Sequence, residues 1–219
     1  MSRAWETSQK AERNFWQHKT NRYPRFAKET WAEYLRWDDL DFSFFAGKRI
    51  VELGCGPFGM IHFMEEAAER IGVDPLIDAY RSMGLLADGG VTHLSGKGER
   101  IDLPGGWAEV VISYNVLDHV EDPAEYLREA WRLLAPGGCL YLNCHTFHRI
   151  PAFVRTRLRL LDRPHPWHFS GRNVGDLVSR AGFHIERTKE YPLDLEQPGL
   201  LPRLVRTFVA HRMILAKKI

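Results

Sequence analysis

The spacing of apolar and polar positions changes near residue 46 of the chain. Up to that point aromatic residues alternate with charged ones, and no glycine occurs before Gly47. This pattern predicts two amphipathic helices, over about 3–20 and 27–37. A break is expected near Tyr23 and Pro24, because proline restricts the residue before it to extended geometry. We therefore expect the N-terminal segment to form a helical cap.

From Gly47 onward, short apolar runs alternate with stretches of helical periodicity. The runs predict strands over 48–53, 70–74, 91–96, 108–114, 139–145 and 183–189, and a last strand within 206–218. Helices are predicted between them over about 59–69, 123–135 and 173–181. Apolar strands separated by helices indicate a mostly parallel sheet with both faces covered. The sequence therefore predicts an α/β fold, with a cap at 1–46 and a doubly wound, seven-stranded sheet domain at 47–219.

A glycine-rich turn follows the first predicted strand. Gly54, Gly56 and Gly59 have the spacing GxGxxG, which places a ligand at the carboxyl end of a strand. Asp74 ends the second predicted strand, where a carboxylate can accept hydrogen bonds from both ribose hydroxyls. These residues predict a nucleoside ligand and leave open both a nicotinamide dinucleotide and S-adenosylmethionine.

Glu52 lies two residues before this turn and separates the two ligands by charge. At about 5 Å from a diphosphate, a carboxylate would cost roughly 3 kcal/mol per charge at an effective dielectric of about 20. A ligand that carries an ammonium and a sulfonium group would be attracted instead. The alternative is a carboxylate that backbone N–H groups at a helix start satisfy. We favour the first interpretation, which predicts a cationic nucleoside.

Five sequence blocks resemble class I S-adenosylmethionine-dependent methyltransferases in their order and spacing. The blocks are VELGCGPFG, GVDP, GKGERIDLP, VVISYNVLDHVEDP and LREAWRLLAPGGCLYLN, within about residues 48–145, and HFSGRNVGDLVSRAGF continues the match. The resemblance implies a Rossmann-like sheet and methyl transfer from S-adenosyl-L-methionine. One departure is Phe58, which stands where such enzymes often have a third glycine, so that Gly59 is displaced by one position.

The resemblance also implies a set of cofactor-binding residues. The set is Glu52, Gly54 and Gly56 at the methionine moiety, Asp74 at the ribose, Glu99 and Arg100 at the adenine, and Asn115 at the amino-acid end. Glu99 would face the adenine amino group, and Arg100 would contribute a backbone N–H. For Glu99 the alternative is a solvated loop charge.

The methyl acceptor is expected between the cap and the loop after the fourth strand. His119 follows that strand and is the candidate general base, with Asp118 as its partner or as a helix-start residue. The alternative for His119 is a structural histidine hydrogen-bonded near the turn. In the cap, Trp16 and Tyr23 are interpreted as substrate-binding residues that close over the ligand, or else as residues that pack on the sheet.

A long connection at 146–172 is expected to form a cap insert, since long loops at this edge are often functional. Its histidines, taken together with the one just before it, are His145, His148, His165 and His168. We interpret His145 and His148 as acceptor-pocket residues, with ordinary packing or a surface position as the alternative. No metal site is predicted, because no cysteine pair accompanies these histidines. Arg155, on a predicted arginine-rich helix, is expected to attract an acidic acceptor such as a carboxylate or phosphate ester; a solvated face is the alternative.

Composition argues against several other classes of protein. The chain has 219 residues and a formal net charge of +2, so a nucleic-acid partner is not expected. Its apolar runs are too short for a membrane span, and its start does not resemble a secretory leader. Three cysteines cannot form a disulfide framework. We therefore expect a cytoplasmic protein with a small-molecule acceptor; oligomeric state has no sequence signal.

The prediction from sequence is thus a methyltransferase that acts on oxygen or nitrogen of a small molecule. One alternative keeps the ligand but changes the reaction, to a cyclase or lyase that releases methylthioadenosine. Another is a nicotinamide-dependent reductase, which Glu52 opposes and for which no YxxxK pair is present. A non-catalytic module that binds an adenosyl ligand is the last alternative.

Overall fold

A single seven-stranded sheet organises the molecule. The computed structural model describes residues 3–19, 28–86, 89–158, 165–192 and 207–219. The strands are β1 (Arg49–Leu53), β2 (Glu69–Asp74), β3 (Thr92–Ser95), β4 (Ala108–Tyr114), β5 (Leu134–Phe147), β6 (Phe183–Pro192) and β7 (Val209–Lys218). Their order is β3-β2-β1-β4-β5-β7-β6. All pairs from β3 to β5 are parallel, and β7 runs antiparallel to β5 and β6, which confirms the predicted, mostly parallel sheet.

Helices in the described ranges cover both faces of the sheet. They are α1 (Arg3–Lys19), α2 (Lys28–Trp37), α3 (Ile77–Ser82), α4 (Pro123–Leu133), α5 (Ala152–Leu158) and α6 (Gly171–Arg180), with short 3₁₀ helices at Phe42–Phe45 and Met60–Phe63. The start of α4 is fixed by Asp122, whose carboxylate accepts the N–H groups of Ala124 and Glu125. No helix in these ranges combines the length and the apolar character that a bilayer crossing needs.

The alternation of side chains along β1 builds two cores. Val51 and Leu53 point to one face, where they join apolar residues of α4 and α6. Ile50 points to the other face and packs in a cluster with α1, α2 and α3. The N-terminal helices therefore share a hydrophobic core with the sheet.

Three expectations about elements are wrong. The helix predicted over 59–69 is only a four-residue 3₁₀ helix, after which the chain turns into β2. Helix α3 was not predicted. Strand β5 continues to Phe147, two residues into the connection predicted over 146–172, and this part of it pairs with β7. The predicted break at Tyr23 and Pro24 lies outside the described residues.

The chain order of the sheet locates the site. β2 lies on one side of β1 and β4 lies on the other, so the loops after β1 and β4 diverge at their carboxyl ends. In parallel α/β sheets, ligands bind in the crevice at this switch point.

Candidate active site

A cavity of about 700 Å³ opens at the carboxyl ends of β1, β2 and β4. Residues from all three strand ends and from α1 line it, among them Trp5, Gln9, Glu12, Gly54, Gly56, Asp74, Lys97, Glu99, Asn115, Val116, His119 and Tyr126. We call it the donor cavity. It brings together five of the seven residues that the sequence assigned to the cofactor: Gly54, Gly56, Asp74, Glu99 and Asn115.

The glycine turn approaches its neighbours too closely for other residues. Gly54 has φ +72°, and a Cβ atom on it would lie 2.4 Å from Cγ2 of Val116. Gly56 has φ +53°, with open space where its Cβ would be. Its N–H donates to Oδ2 of Asp74 at 3.0 Å. The turn is thus compact on the sheet side and open on the cavity side.

The carboxylate of Asp74 is held by backbone groups. Besides the bond from Gly56, its Oδ1 accepts the N–H of Leu76 at 2.8 Å. Burial raises the pKa of Asp74 to about 6, and these two N–H groups oppose that rise. Each carboxylate oxygen can accept more than one hydrogen bond. Asp74 can therefore fix the turn and still accept a hydroxyl from the cavity.

Glu52 adopts the alternative that the sequence left open. Its two oxygens accept the N–H groups of Met60, at 3.3 Å, and Ile61, at 2.9 Å. Burial raises its pKa to about 8, so most of its charge is absent at neutral pH in the ligand-free protein. The argument that a charged Glu52 repels diphosphates is therefore not supported.

Close contacts around residue 59 explain why the third glycine of the turn is found at this displaced position. A Cβ at this position would lie 2.5 Å from Oε2 of Glu52 and 2.3 Å from the carbonyl oxygen of Cys55. Glycine is required here because the buried carboxylate of Glu52 closes against the backbone.

At the other end of the donor cavity, Glu99 is partly committed to the protein. Its Oε1 accepts the N–H of Glu121 at 2.7 Å and that of Asp122 at 3.2 Å. The N–H of Arg100 donates to the carbonyl of Lys97 at 3.2 Å, and the Arg100 side chain is exposed. The structure places Arg100 outside the cavity lining, in contrast to Glu99.

Asn115 lies where the donor cavity meets a second one. Its φ is +57°, and its N–H donates to the carbonyl of Asn143 at 2.8 Å. Its side-chain Oδ1 is buried and has no hydrogen-bond partner among the described residues. A buried acceptor without a partner is costly, so this atom is placed to receive a donor from a ligand.

The second cavity has aromatic walls and a volume of about 830 Å³. It shares Glu12, Gly54, Gly56 and Asn115 with the donor cavity. Its aromatic lining residues are Trp16, Trp31, Tyr34, Phe58 and Tyr114. The ring of Tyr34 stacks on that of Tyr114 with centroids 5.8 Å apart, and Trp31 meets Tyr114 edge-on at 4.9 Å. We call it the aromatic cavity.

His119 lines the donor cavity next to Asn115. Its Nδ1 lies 3.1 Å from the hydroxyl of Ser8 on α1, and its Nε2 lies 3.8 Å from Oδ1 of Asp118. Burial opposes ionisation of Asp118, but three nearby imidazoles hold the pKa of this carboxyl below its usual value. One of them, His165, has its ring centroid 4.5 Å from that of His119.

A comparison with known protein families shows which family the chain belongs to. The family model described as a methyltransferase domain matches residues 16–188, which is most of the chain. The chain belongs to the class I S-adenosylmethionine-dependent methyltransferases.

Individual relatives agree with this assignment. A protein of Mycolicibacterium smegmatis named "Probable S-adenosylmethionine-dependent methyltransferase" is 30% identical over 155 residues, covering 65% of this chain and 54% of that protein. The ubiquinone biosynthesis O-methyltransferase of Ruegeria pomeroyi is 32% identical over 117 residues, covering 49% and 44%. The chain thus spans about half the length of the curated relatives it matches.

Solved structures show the same fold at lower identity. An S-adenosylmethionine-dependent methyltransferase from Mesorhizobium loti aligns with a TM-score of 0.65 and 22% identity, covering 87% of this chain and 98% of that one. The methyltransferase family uses S-adenosylmethionine, and the side chains that line the donor cavity fit an adenosyl ligand in their chemistry. The fit rests on the buried Asp74 carboxylate, the open space at Gly56 and the unpartnered oxygen of Asn115.

The predicted acceptor residues of this methyltransferase are not all at the two cavities. Trp16 lines the aromatic cavity, as expected of an acceptor residue. His145 is half-buried on β5, with its ring centroid 4.7 Å from that of His211, and it lines neither cavity. His148 lies beyond β5, near Glu190, with its Nδ1 3.9 Å from Oε2.

Arg155 lies outside the aromatic cavity. The guanidinium of Arg155 donates to Oδ1 of Asn173 at 3.0 Å and to the carbonyl of Ile150 at 3.3 Å. It lines a separate cavity with His168 and Phe169. Tyr23 falls outside the described residues.

Sequence reasoning missed several residues of the methyltransferase site. Those on α1 are Trp5, Gln9 and Glu12, which continue to Trp16 in steps of four, three and four residues. This spacing is one stripe of a helix, so the stripe was a readable signal. On α2, Trp31 and Tyr34 are three residues apart and form a similar stripe.

Proposed function

We propose that this methyltransferase transfers a methyl group to an oxygen or nitrogen atom of a small, planar acceptor that lies in the aromatic cavity. The observation that carries the proposal is the junction of the two cavities at Gly54, Gly56 and Asn115. An acceptor on the aromatic side would face a donor on the other side across these residues. The relatives named as ubiquinone biosynthesis O-methyltransferases support oxygen as the methylated atom.

We assign the donor side to residues that are already fixed by the fold. Asp74 would accept the ribose hydroxyls, and Asn115 would bind the amino-acid end of the cofactor through its unpartnered oxygen. Gly54 and Gly56 would line the methionine moiety, with Glu52 holding their loop in place through Met60 and Ile61. Glu99 would lie at the adenine end.

The acceptor side favours a flat and largely apolar molecule. Aromatic rings stack on other rings in offset or edge-on arrangements, which the walls formed by Trp31, Tyr34 and Tyr114 provide. An acidic acceptor has weaker support, because Arg155 is bonded to Asn173 and Ile150 away from this cavity.

Orientation is the main contribution that these residues make to the reaction. When bound, S-adenosylmethionine supplies a methyl group on a positive sulfur, which leaves as a neutral thioether as the acceptor's lone pair forms the new bond. The cavity walls hold the acceptor in line, and orientation of this kind can contribute about 7–11 kcal/mol. His119 is within the donor cavity and could take a proton from the acceptor.

The family match does not favour the reductase or the cyclase, and product analysis tests this directly. We expect S-adenosylhomocysteine and a methylated product when the protein is incubated with S-adenosylmethionine and a panel of phenols and aromatic amines. Release of methylthioadenosine, or binding of NADH without binding of S-adenosylhomocysteine, would contradict the proposal.

A binding measurement tests the donor side. We expect Asp74→Asn to weaken the affinity for S-adenosylhomocysteine by about 10- to 100-fold in calorimetry, because a charged hydrogen-bond acceptor is lost. The control is Asp78→Asn on α3, an exposed carboxylate paired with Arg81, for which no change is expected. Equal affinities of the two variants would remove Asp74 from the site.

A further inference from the structure

Three side chains beside the donor cavity are arranged as ligands of a single ion. Asp118, His119 and His165 each offer one ligand atom, and these atoms lie within 4.8 Å of one another. Two ligands of one tetrahedral ion lie about 3.4 Å apart, and opposite ligands of an octahedral ion about 4.2 Å apart. The 3.8 Å between Oδ1 of Asp118 and Nε2 of His119 falls in this range. It is too long for a hydrogen bond.

The carboxylate of Asp118 provides a second, independent observation. Its side chain is only 6% exposed, and Oδ1 has no hydrogen-bond partner among the described residues. A carboxylate oxygen without a hydrogen bond is expensive to bury, so a cation that binds it would remove part of that cost. Oδ1 lies 3.8 Å from Nε2 of His119, and His165 offers a ligand atom within 4.8 Å of those of Asp118 and His119.

The ring of His119 is oriented for metal binding. Its Nδ1 lies at hydrogen-bond distance from the hydroxyl of Ser8, which leaves Nε2 on the side of Asp118. Histidines that bind metals usually have their other ring nitrogen fixed in this way. The contact also ties α1, which covers the cavity, to the ligand set.

We propose that Asp118, His119 and His165 bind one divalent transition-metal ion at the edge of the donor cavity. Imidazole ligands favour ions such as Zn²⁺ over Mg²⁺ and Ca²⁺, which prefer oxygen. Three protein ligands leave at least one position open, as in catalytic metal sites. The binding of this ion does not depend on the proposed function, because none of its three ligands lines the aromatic cavity.

This assignment changes the role predicted for His119. A ring whose Nε2 is bound to an ion cannot accept a proton at that atom. The general-base and metal-ligand interpretations of His119 therefore exclude each other at Nε2. It also replaces the expectation from sequence that this protein has no metal site.

The test is metal binding by the full chain without any acceptor. After treatment with a chelator, the protein is titrated with Zn²⁺ and separately with Mn²⁺ in a calorimeter. We expect one ion per chain, and at least a tenfold weaker affinity for both Asp118→Asn and His165→Gln. Cobalt offers a second readout, because Co²⁺ bound by these ligands should give a visible absorption band that both variants lose.

The matched control is His168→Gln, three residues after His165 and outside the ligand group. It should bind Zn²⁺ with the affinity of the unchanged protein. Equal affinities of all four proteins would place the ion elsewhere and overturn the proposal. So would the absence of stoichiometric Zn²⁺ and Mn²⁺ binding in protein that still binds S-adenosylhomocysteine, an outcome that leaves the proposed function intact.

Discussion

The donor cavity and the aromatic cavity form two halves of one cleft that differ in how their polar atoms are satisfied. Beside the glycine turn, the carboxylates of Glu52 and Asp74 each accept two backbone N–H groups. By contrast, Oδ1 of Asn115, at the junction of the two cavities, and Nδ1 of His211, in the aromatic cavity, are buried without a partner among the described residues. A ligand can bind these two atoms, whereas the two carboxylates already hold the protein backbone.

The difference also concerns where the residues come from. Both cavities are lined by α1, the turn after β1 and the loop after β4. The donor cavity adds residues after β2 and β3, whereas the aromatic cavity adds Trp31 and Tyr34 of α2 and His211 of β7. The two halves therefore differ in which distant segments complete them.

The largest effect should come from the buried carboxylate of Glu52, beneath the glycine turn. The pKa of Glu52 is about 8 in the folded protein against an ordinary 4.5, so between these values the fold holds a proton that the unfolded chain has lost. The contribution of this proton to the free energy of unfolding is therefore fully present below pH 4.5 and is lost as the pH rises to about 8. We expect Glu52→Gln to gain about 3–4 kcal/mol relative to the unchanged protein between pH 5 and pH 9.

Urea unfolding at pH 5, 7 and 9 measures this difference. Glu69→Gln, at the exposed start of β2, serves as the control and should follow the unchanged protein at every pH. If Glu52→Gln and the unchanged protein have the same pH dependence, the carboxylate is not buried as described.

A smaller effect is expected from the glycine turn. Gly54→Ala would bring a Cβ to 2.4 Å from Val116 in a left-handed backbone conformation, and we expect a loss of about 2–4 kcal/mol in unfolding free energy. Gly84→Ala has nearly the same φ, +68°, but meets nothing within 4 Å. It should lose only about 1–2 kcal/mol, so the difference between the two variants isolates the close contact. Equal losses would mean that the turn does not press on Val116.

The smallest effect should separate the two halves. Tyr34→Leu removes a ring from the wall of the aromatic cavity and should lower kcat/KM for the acceptor about tenfold, since stacked rings contribute about 0.5–1.5 kcal/mol. Its affinity for S-adenosylhomocysteine should stay within about twofold of the unchanged protein.

The control for this variant is Phe44→Leu, a half-buried aromatic residue of the same N-terminal segment that lines neither cavity. Both constants should be unchanged in it. A parallel loss of cofactor and acceptor binding in Tyr34→Leu would contradict the division of the cleft into two halves.

The sequence by itself determined the strands, the glycine turn, Asp74 and the family. Alternating apolar residues and turn glycines are local signals, and each of them is decided by a few neighbouring positions. The same locality explains the wrong helix after Gly59. That segment has helical composition, but the buried carboxylate of Glu52 binds its first N–H groups, and the chain then turns into β2.

Only the tertiary structure decided what surrounds these local elements. Sequence left two roles open for Glu52, and its burial against the backbone decided between them. Packing of α1 against the sheet also decided that Trp5, Gln9 and Glu12 line the donor cavity. His119 and His165 meet because two loops distant in sequence converge at one sheet edge. Packing of remote segments sets burial and hydrogen-bond partners, and these decide whether a side chain is charged, paired or left for a ligand.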